Sequence, residues 1–153
     1  MEKVTINVFV SGHLDLTQEE FEKYYKQEID NRLKNELFVK FHLNFYIGDC
    51  KGGDLMAFKY IFDNYINDNY LDNIYVCVMD NNESSSNYNY PKHHKVKIIT
   101  GFKTHEERDC YMTKNTDYDI LWIRHNYWNS GTAQNFVRRT FLDKKYYDND
   151  DTI

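Results

Sequence analysis

The stretch Ser130-Gly131-Thr132-Ala133-Gln134-Asn135, shortly after the apolar run Ile120-Leu121-Trp122-Ile123, holds residue types and spacing suited to binding an anion. A strand that ends in a Gly-Thr turn and restarts as a helix leaves backbone N–H groups without partners, and the positive end of the helix dipole adds to them. Ser and Thr cap helices of every kind, so one such turn says little by itself. Two more loops follow apolar runs: Gly48-Asp49-Cys50-Lys51-Gly52-Gly53-Asp54 and Ser11-Gly12-His13. Three loops of this kind in one small domain point to a phosphorylated small ligand, most simply a nucleotide. The second loop carries Lys51 but lacks the G-x-x-x-x-G-K-[ST] spacing, which excludes a P-loop. Asp54 reads either as the cap of the following helix or as an acceptor for a ribose hydroxyl.

Other polar residues have two readings each. Glu106, Glu107 and Asp109 are favourable acids for the first turn of a helix. Glu107 and Asp109 are also the best catalytic carboxylates if the protein is an enzyme. His13 follows the first strand, where it can contact a phosphate or act as an acid. No H-x-x-x-H or H-E-x-x-H spacing occurs, so no metal is expected. Tyr127 and Trp128 precede Ser130 and can stack on a base or pack on the sheet edge. Arg138-Arg139 reads as solvated or as part of a subunit contact.

The elements that must position these residues alternate. Residues 4–10 read as the first strand, and Thr17-Gln18-Glu19-Glu20 has capping-box spacing ahead of a helix with Phe21, Tyr24, Tyr25, Ile29 and Leu33 on one face. Further strands are expected at about 43–47, 74–79, 96–99 and 119–123, with helices from Asp54, at 106–114 and at 132–142. The polar stretch 80–95, with Ser84-Ser85-Ser86 and the only proline, reads as a lid or an insertion. Residues 143–153 read as a polar, acidic tail after a single domain spanning 1–142. This alternation predicts an α/β fold, a three-layer sandwich around a mainly parallel sheet of about five strands. Ligands in such sheets sit at the carboxyl ends of the strands, where all three glycine-bearing loops fall.

Composition narrows the classes. A chain of 153 residues with 41% hydrophobic content suits one folded domain rather than disorder. The net charge of −5 disfavours non-specific nucleic-acid binding. Cys50, Cys77 and Cys110 form no C-x-x-C pair, which argues against a disulfide framework and for a reducing compartment. No apolar stretch approaches membrane-spanning length, and no signal-peptide core precedes the first strand, so a cytoplasmic protein without membrane contact is expected.

The order of these motifs resembles the SLOG superfamily of Rossmann-like nucleotide-binding proteins, and most closely its YspA-like members. The resemblance rests on the strand ending in Ser11-Gly12, on Gly48-x-x-x-Gly52-Gly53-Asp54 with Ala57, on Gly101, on Arg108-Asp109 with Met112, and on Asp117-x-Asp119 before Ser130-Gly131-Thr132. It covers residues 4–139. Relatives include the LOG phosphoribohydrolases, DprA and the nucleoside 2-deoxyribosyltransferases. The resemblance implies that the loops after strands one, two and five wrap a nucleotide-derived ligand. Gly131 and Thr132 would then donate to a phosphate, Gly52 and Gly53 would let the backbone approach the ligand, and Arg108 would be a cation near the pocket. It also implies a homodimer.

One departure bears on activity. LOG enzymes carry a glutamate where this chain has Asn135, and deoxyribosyltransferases use a glutamate nucleophile at the start of the corresponding helix, where Gln134 and Asn135 supply no carboxylate. Cleaving an N-glycosidic bond needs a carboxylate as nucleophile or to stabilise the oxocarbenium-like transition state. The expected function is therefore binding of a nucleotide or nucleotide-derived small molecule, as a sensor or accessory protein, with no cofactor. The alternative is a nucleoside (phosphate) N-glycosidase or deoxyribosyltransferase with a non-standard carboxylate.

Overall fold

Alternation with period two sorts the strand residues onto two sheet faces. In the computed structural model, which describes residues 4–34, 41–80 and 87–150 (side chains to 141), Val8 and Val10 of the first strand join one core and Phe9 joins another. The strands are β1 (Thr5–Val10), β2 (His42–Gly48), β3 (Leu71–Met79), β4 (Val96–Phe102) and β5 (Tyr118–Ile120). All pair in parallel, in the order β4-β3-β2-β1-β5. The chain steps outward from β1 to β4 and then crosses to the far side of β1. The topological switch point therefore lies between β1 and β5.

Helices cover both faces. On one lie α1 (Gln18–Phe21), a π-helical turn (Glu22–Lys26), α2 (Gln27–Leu33) and α3 (Gly53–Tyr65), which bury Phe21, Tyr25, Ile29, Phe58 and Ile61 against Val10, Phe45, Ile47, Ile74 and Val76. On the other, α4 (His105–Lys114) sets Met112 against Phe9, Cys77, Met79 and Phe102, and α5 (Gly131–Asp150) lies beside it. This is a Rossmann-like three-layer α/β sandwich. Among the described residues no helix is long and apolar enough to cross a membrane.

The expected capping box is present: Thr17 Oγ1 accepts from Glu20 N at 3.1 Å and Glu20 Oε1 accepts from Thr17 N at 3.0 Å. Several boundaries differ from expectation, among them those of β3, which begins at Leu71, and β4, which runs to Phe102. β5 stops at Ile120, because the Trp122 N–H donates to the Tyr25 hydroxyl at 3.0 Å and its indole stacks on Tyr24 at 4.2 Å. α5 continues to Asp150, so most of the expected acidic tail is helix; no Gly or Pro interrupts the segment, and residues 151–153 lie outside the described residues. In the expected lid or insertion, residues 81–86, including the three serines, lie outside the described residues, while Tyr88 and Tyr90 pack edge-on to Phe58 at 6.0 and 4.8 Å.

Candidate functional site

The glycines at the strand ends bring two loops together. A Cβ on Gly53 would lie 2.6 Å from Gly12 Cα, and one on Gly52, whose φ is +77°, would lie 2.4 Å from the His13 carbonyl oxygen. The Gly53 N–H donates to that same oxygen at 3.0 Å. Gly52 and Gly53, expected to approach a ligand, admit the β1–α1 loop, and neither lines the cavity described next. Gly48 serves a third contact, since a Cβ there would meet Asp54 Oδ2 at 2.7 Å and Arg108 Cζ at 3.1 Å.

A cavity of about 480 Å³ opens at the carboxyl end of β1, floored by Phe9 and Met112. Ser11, Gly12, Asp54, Arg108, Asp109, Ser130, Gly131 and Thr132 all line it, so most of the expected site residues converge. His13, Leu14, Asp15, Cys50, His105, Tyr127 and Asn135 complete the lining.

Arg108 is 4% exposed and is not a free cation. Its Nη1 donates to Asp49 Oδ1 at 2.7 Å and lies 3.4 Å from Cys50 Sγ, and its Nε donates to Asp109 Oδ1 at 3.1 Å. Asp49 in turn accepts from the Met79 N–H at 3.0 Å. Burial raises the Asp109 carboxyl above its ordinary range against the pull of Arg108. Asp54 does not cap α3, whose N-cap is Gly52; its Oδ2 accepts from the Cys50 N–H at 3.4 Å. Burial pushes its carboxyl up to about 7, with Asp109 and Asp49 adding to the rise and Arg108 opposing it.

Glu107 is not in the cavity. It is exposed, takes the third position of α4, and accepts from the Lys103 N–H at 3.3 Å while its own N–H donates to Thr104 Oγ1 at 3.0 Å. That is a capping role, so of the two expected catalytic carboxylates only Asp109 lines the cavity. Glu106 is likewise exposed. Arg139, expected at the surface, is instead 15% exposed and donates to the Thr113 and Thr116 carbonyls at the end of α4 and to Asp119 at 2.9 Å.

The start of α5 faces the cavity. Ser130 caps the helix, its Oγ accepting from the Ala133 N–H at 3.2 Å. The N–H groups of Gly131 and Thr132 have no partner among the described residues, as first-turn geometry requires. Asn135 is 3% exposed and accepts from Arg138 Nη1 at 2.6 Å. Opposite, the buried Ser11 Oγ has no hydrogen-bond partner.

Sequence reasoning missed Arg124, which joins the first and last loops. Its Nη1 donates to both carboxylate oxygens of Asp15 at 2.9 and 3.0 Å, its Nη2 pairs with Glu20 at 2.7 Å, and the guanidinium lies 4.7 Å over the Tyr127 ring. Hydrogen bonding from Arg124 pulls Glu20 down to about 2. The Arg124 N–H donates to His13 Nε2 at 2.9 Å, which assigns the proton of the neutral ring to Nδ1. Burial and the nearby Arg124 charge lower the His13 pKa. A lone arginine after a strand carries no local signal of such a role.

An open parallel sheet, helices on both faces and a cavity at the switch point define a doubly wound, Rossmann-like α/β domain. Compared with protein-family models, with curated proteins and with solved structures, the chain matches none of them.

Proposed function

We propose that the cavity between β1, α4 and α5 binds a nucleotide or nucleotide-derived small molecule, as the recognition module of a sensor or accessory protein. The observation that carries this reading is the pair of unpartnered N–H donors at Gly131 and Thr132, opening on a 480 Å³ cavity at the switch point. That volume lies within the ~300–1,000 Å³ range of small-molecule sites. Asn135 stands in the cavity where an N-glycosidase of the resembling superfamily needs a carboxylate, which favours binding over cleavage. The same reading takes the chain as a cytoplasmic SLOG-type module and as a homodimer, for which the exposed Trp128, Phe136, Val137 and Phe141 supply apolar surface.

A thermal-shift screen of nucleosides, their mono-, di- and triphosphates, dinucleotides and ribose 5-phosphate tests it. A ligand bound only by the native state at about 100 times its Kd adds roughly 2.7 kcal/mol. The shift should disappear in Gly131→Val, where the added Cβ meets nothing of the protein within 4 Å, and weaken in Thr132→Ala. No shift with any compound rejects the reading.

A second reading, N-glycosidic cleavage, is favoured by one observation. Asp54 and Asp109 both line the cavity with raised carboxyl pKa values, and Asp54, near 7, can hold a proton at neutral pH. Free base released from a nucleoside or its monophosphate, and lost in Asp109→Asn, would establish it. No release from any base with either sugar would exclude it.

A further inference from the structure

Charge is segregated at one edge of the sheet. Residues 92–104 hold four lysines, two histidines and no Asp or Glu, in a chain whose net charge is −5. They include all of β4, the edge strand farthest from β5. Lys92, His94, Lys97 and Lys103 are exposed, and none of these three lysines is in an ion pair among the described residues. Lys95 reaches the Asp68 carbonyl at 2.8 Å, and Asp80, near the far end of the strand, accepts from the Gly101 N–H at 3.0 Å.

The backbone of this edge is open. In a parallel ladder the N–H and C=O of one residue point to the same side, and the side alternates along the strand. The Ile74 N–H donates to the Lys95 carbonyl at 2.7 Å, so Lys95, Lys97 and Ile99 turn their backbone groups to β3. Those of Ile98 and Thr100 therefore point outward, away from the sheet. No proline interrupts β4, and the Ile98 side chain is 49% exposed. Ile98 shares a face with Val96, above the broad core, and Lys97 shares the other with Ile99. The edge thus offers backbone donors and acceptors, an apolar row on one face and a cation on the other.

These features select the occupant. Two copies pairing β4 with β4 would crowd the lysines of both along one seam, where like charges repel. A nucleic-acid strand could meet the lysines, but its phosphates would face outward carbonyls that accept rather than donate. Phe102 is buried, so β4 presents no exposed aromatic on which a base could stack. A peptide strand supplies both N–H and C=O groups, and acidic side chains on it match the lysines.

We propose that the outer edge of β4 docks an extended acidic segment of a partner protein, which adds to the sheet as a further strand. Its carboxylates meet Lys92, Lys97 and Lys103, and its apolar side chains lie along Ile98. Since β3 and β2 stand between β4 and β1, this docking does not depend on the nucleotide reading of the cavity.

Nuclear magnetic resonance titration of the isotope-labelled full chain tests it. The probe is a capped peptide of alternating Glu and Val, about eight residues long to match β4 at about 3.3 Å per residue. The expected result is saturable binding that slows exchange of the Ile98 and Thr100 amides. Lys97→Glu should weaken it about tenfold. Ile98→Pro should abolish it, since an outward N–H on an edge strand is dispensable to the sheet but not to an added strand. The same peptide N-methylated at every residue keeps its charge and should not bind. Equal affinity for the methylated peptide, tighter binding of oligothymidylate, or no saturable binding overturns the proposal. So does protection of the Ile98 and Thr100 amides that grows with protein concentration alone, which would mark a second copy. The methylated peptide needs no variant, so a folding failure of Ile98→Pro leaves the test decisive.

Discussion

A carboxyl group shut away from water stays ionised only as far as its neighbours replace the lost hydration, and Asp54 shows the balance at one residue. Burial raises it to about 7, and Arg108, shared among Asp49, Asp54 and Asp109, opposes the rise only in part. Since the folded pKa lies above the ordinary value of about 3.9, the folded state binds the extra proton. The stability this gives is full below about pH 4 and is lost as pH rises toward 7. Asp54→Asn cannot ionise, so it should gain stability relative to the unaltered protein over that window, by on the order of a few kcal/mol, read from urea midpoints. Two glycines offer a sharper contrast. Gly48→Ala places a Cβ 2.7 Å from Asp54 Oδ2 and should destabilise by about 1–3 kcal/mol, whereas Gly131→Ala meets nothing within 4 Å and should stay within about 0.5 kcal/mol. Equal midpoints for the two variants would contradict the packing argument.

Loops and helices act through the fastenings between them. The β1–α1 and β5–α5 loops are held together by the Arg124 side chain, by its N–H on His13, and by Tyr25, which donates to the Ser11 carbonyl at 2.7 Å while accepting from Trp122. Tyr25 lies in the π-helical turn, which carries its hydroxyl to the switch point. Protonating His13 Nε2 would set two donors face to face and add positive charge beside Arg124, with only Asp15 and Glu20 to offset it. Because the folded pKa of His13 is lowered, the unfolded chain takes up the proton first, and stability should fall as pH drops below about 6.5. His13→Gln retains an acceptor that does not titrate, so its melting temperature should fall less over the same range. Parallel curves for the two proteins would dissociate the acid sensitivity from this contact.

At the scale of the molecule the two layers flanking the sheet are unequal. The core under α1, α2 and α3 is broad and aromatic, while that under α4 buries Phe9, Cys77, Met79, Phe102 and Met112, with Tyr46, Ile99 and Tyr111 half-buried against them, and the cavity borders it. The α4–α5 layer should therefore open below the energy of global unfolding. Native-state hydrogen exchange should show amides of α4 exchanging before those of α3, and a bound ligand should slow α4 selectively. Uniform protection across both layers would rule this out. Ligand binding and local stability are coupled here because Phe9 and Met112 belong at once to that core and to the cavity floor.

Local chemistry made much of this legible in the residues. Alternation in Thr5–Val10, the Thr17–Glu20 capping box and the glycines after β1 and at the end of β2 are short-range signals, and they were enough for a parallel α/β sandwich with loops gathered at one edge. A glycine, however, announces a close approach without saying to what: Gly52 and Gly53 meet the neighbouring loop. Likewise, acids in one helical turn are alike until packing separates them, so Glu107 caps α4 in water while Asp109 lines the cavity. Only the tertiary structure set Arg108 against Asp49 and Arg124 against His13, partners far apart in the chain. The crossing from β4 to β5 brings them together, and burial there, a property of no single residue, fixes which groups keep their protons.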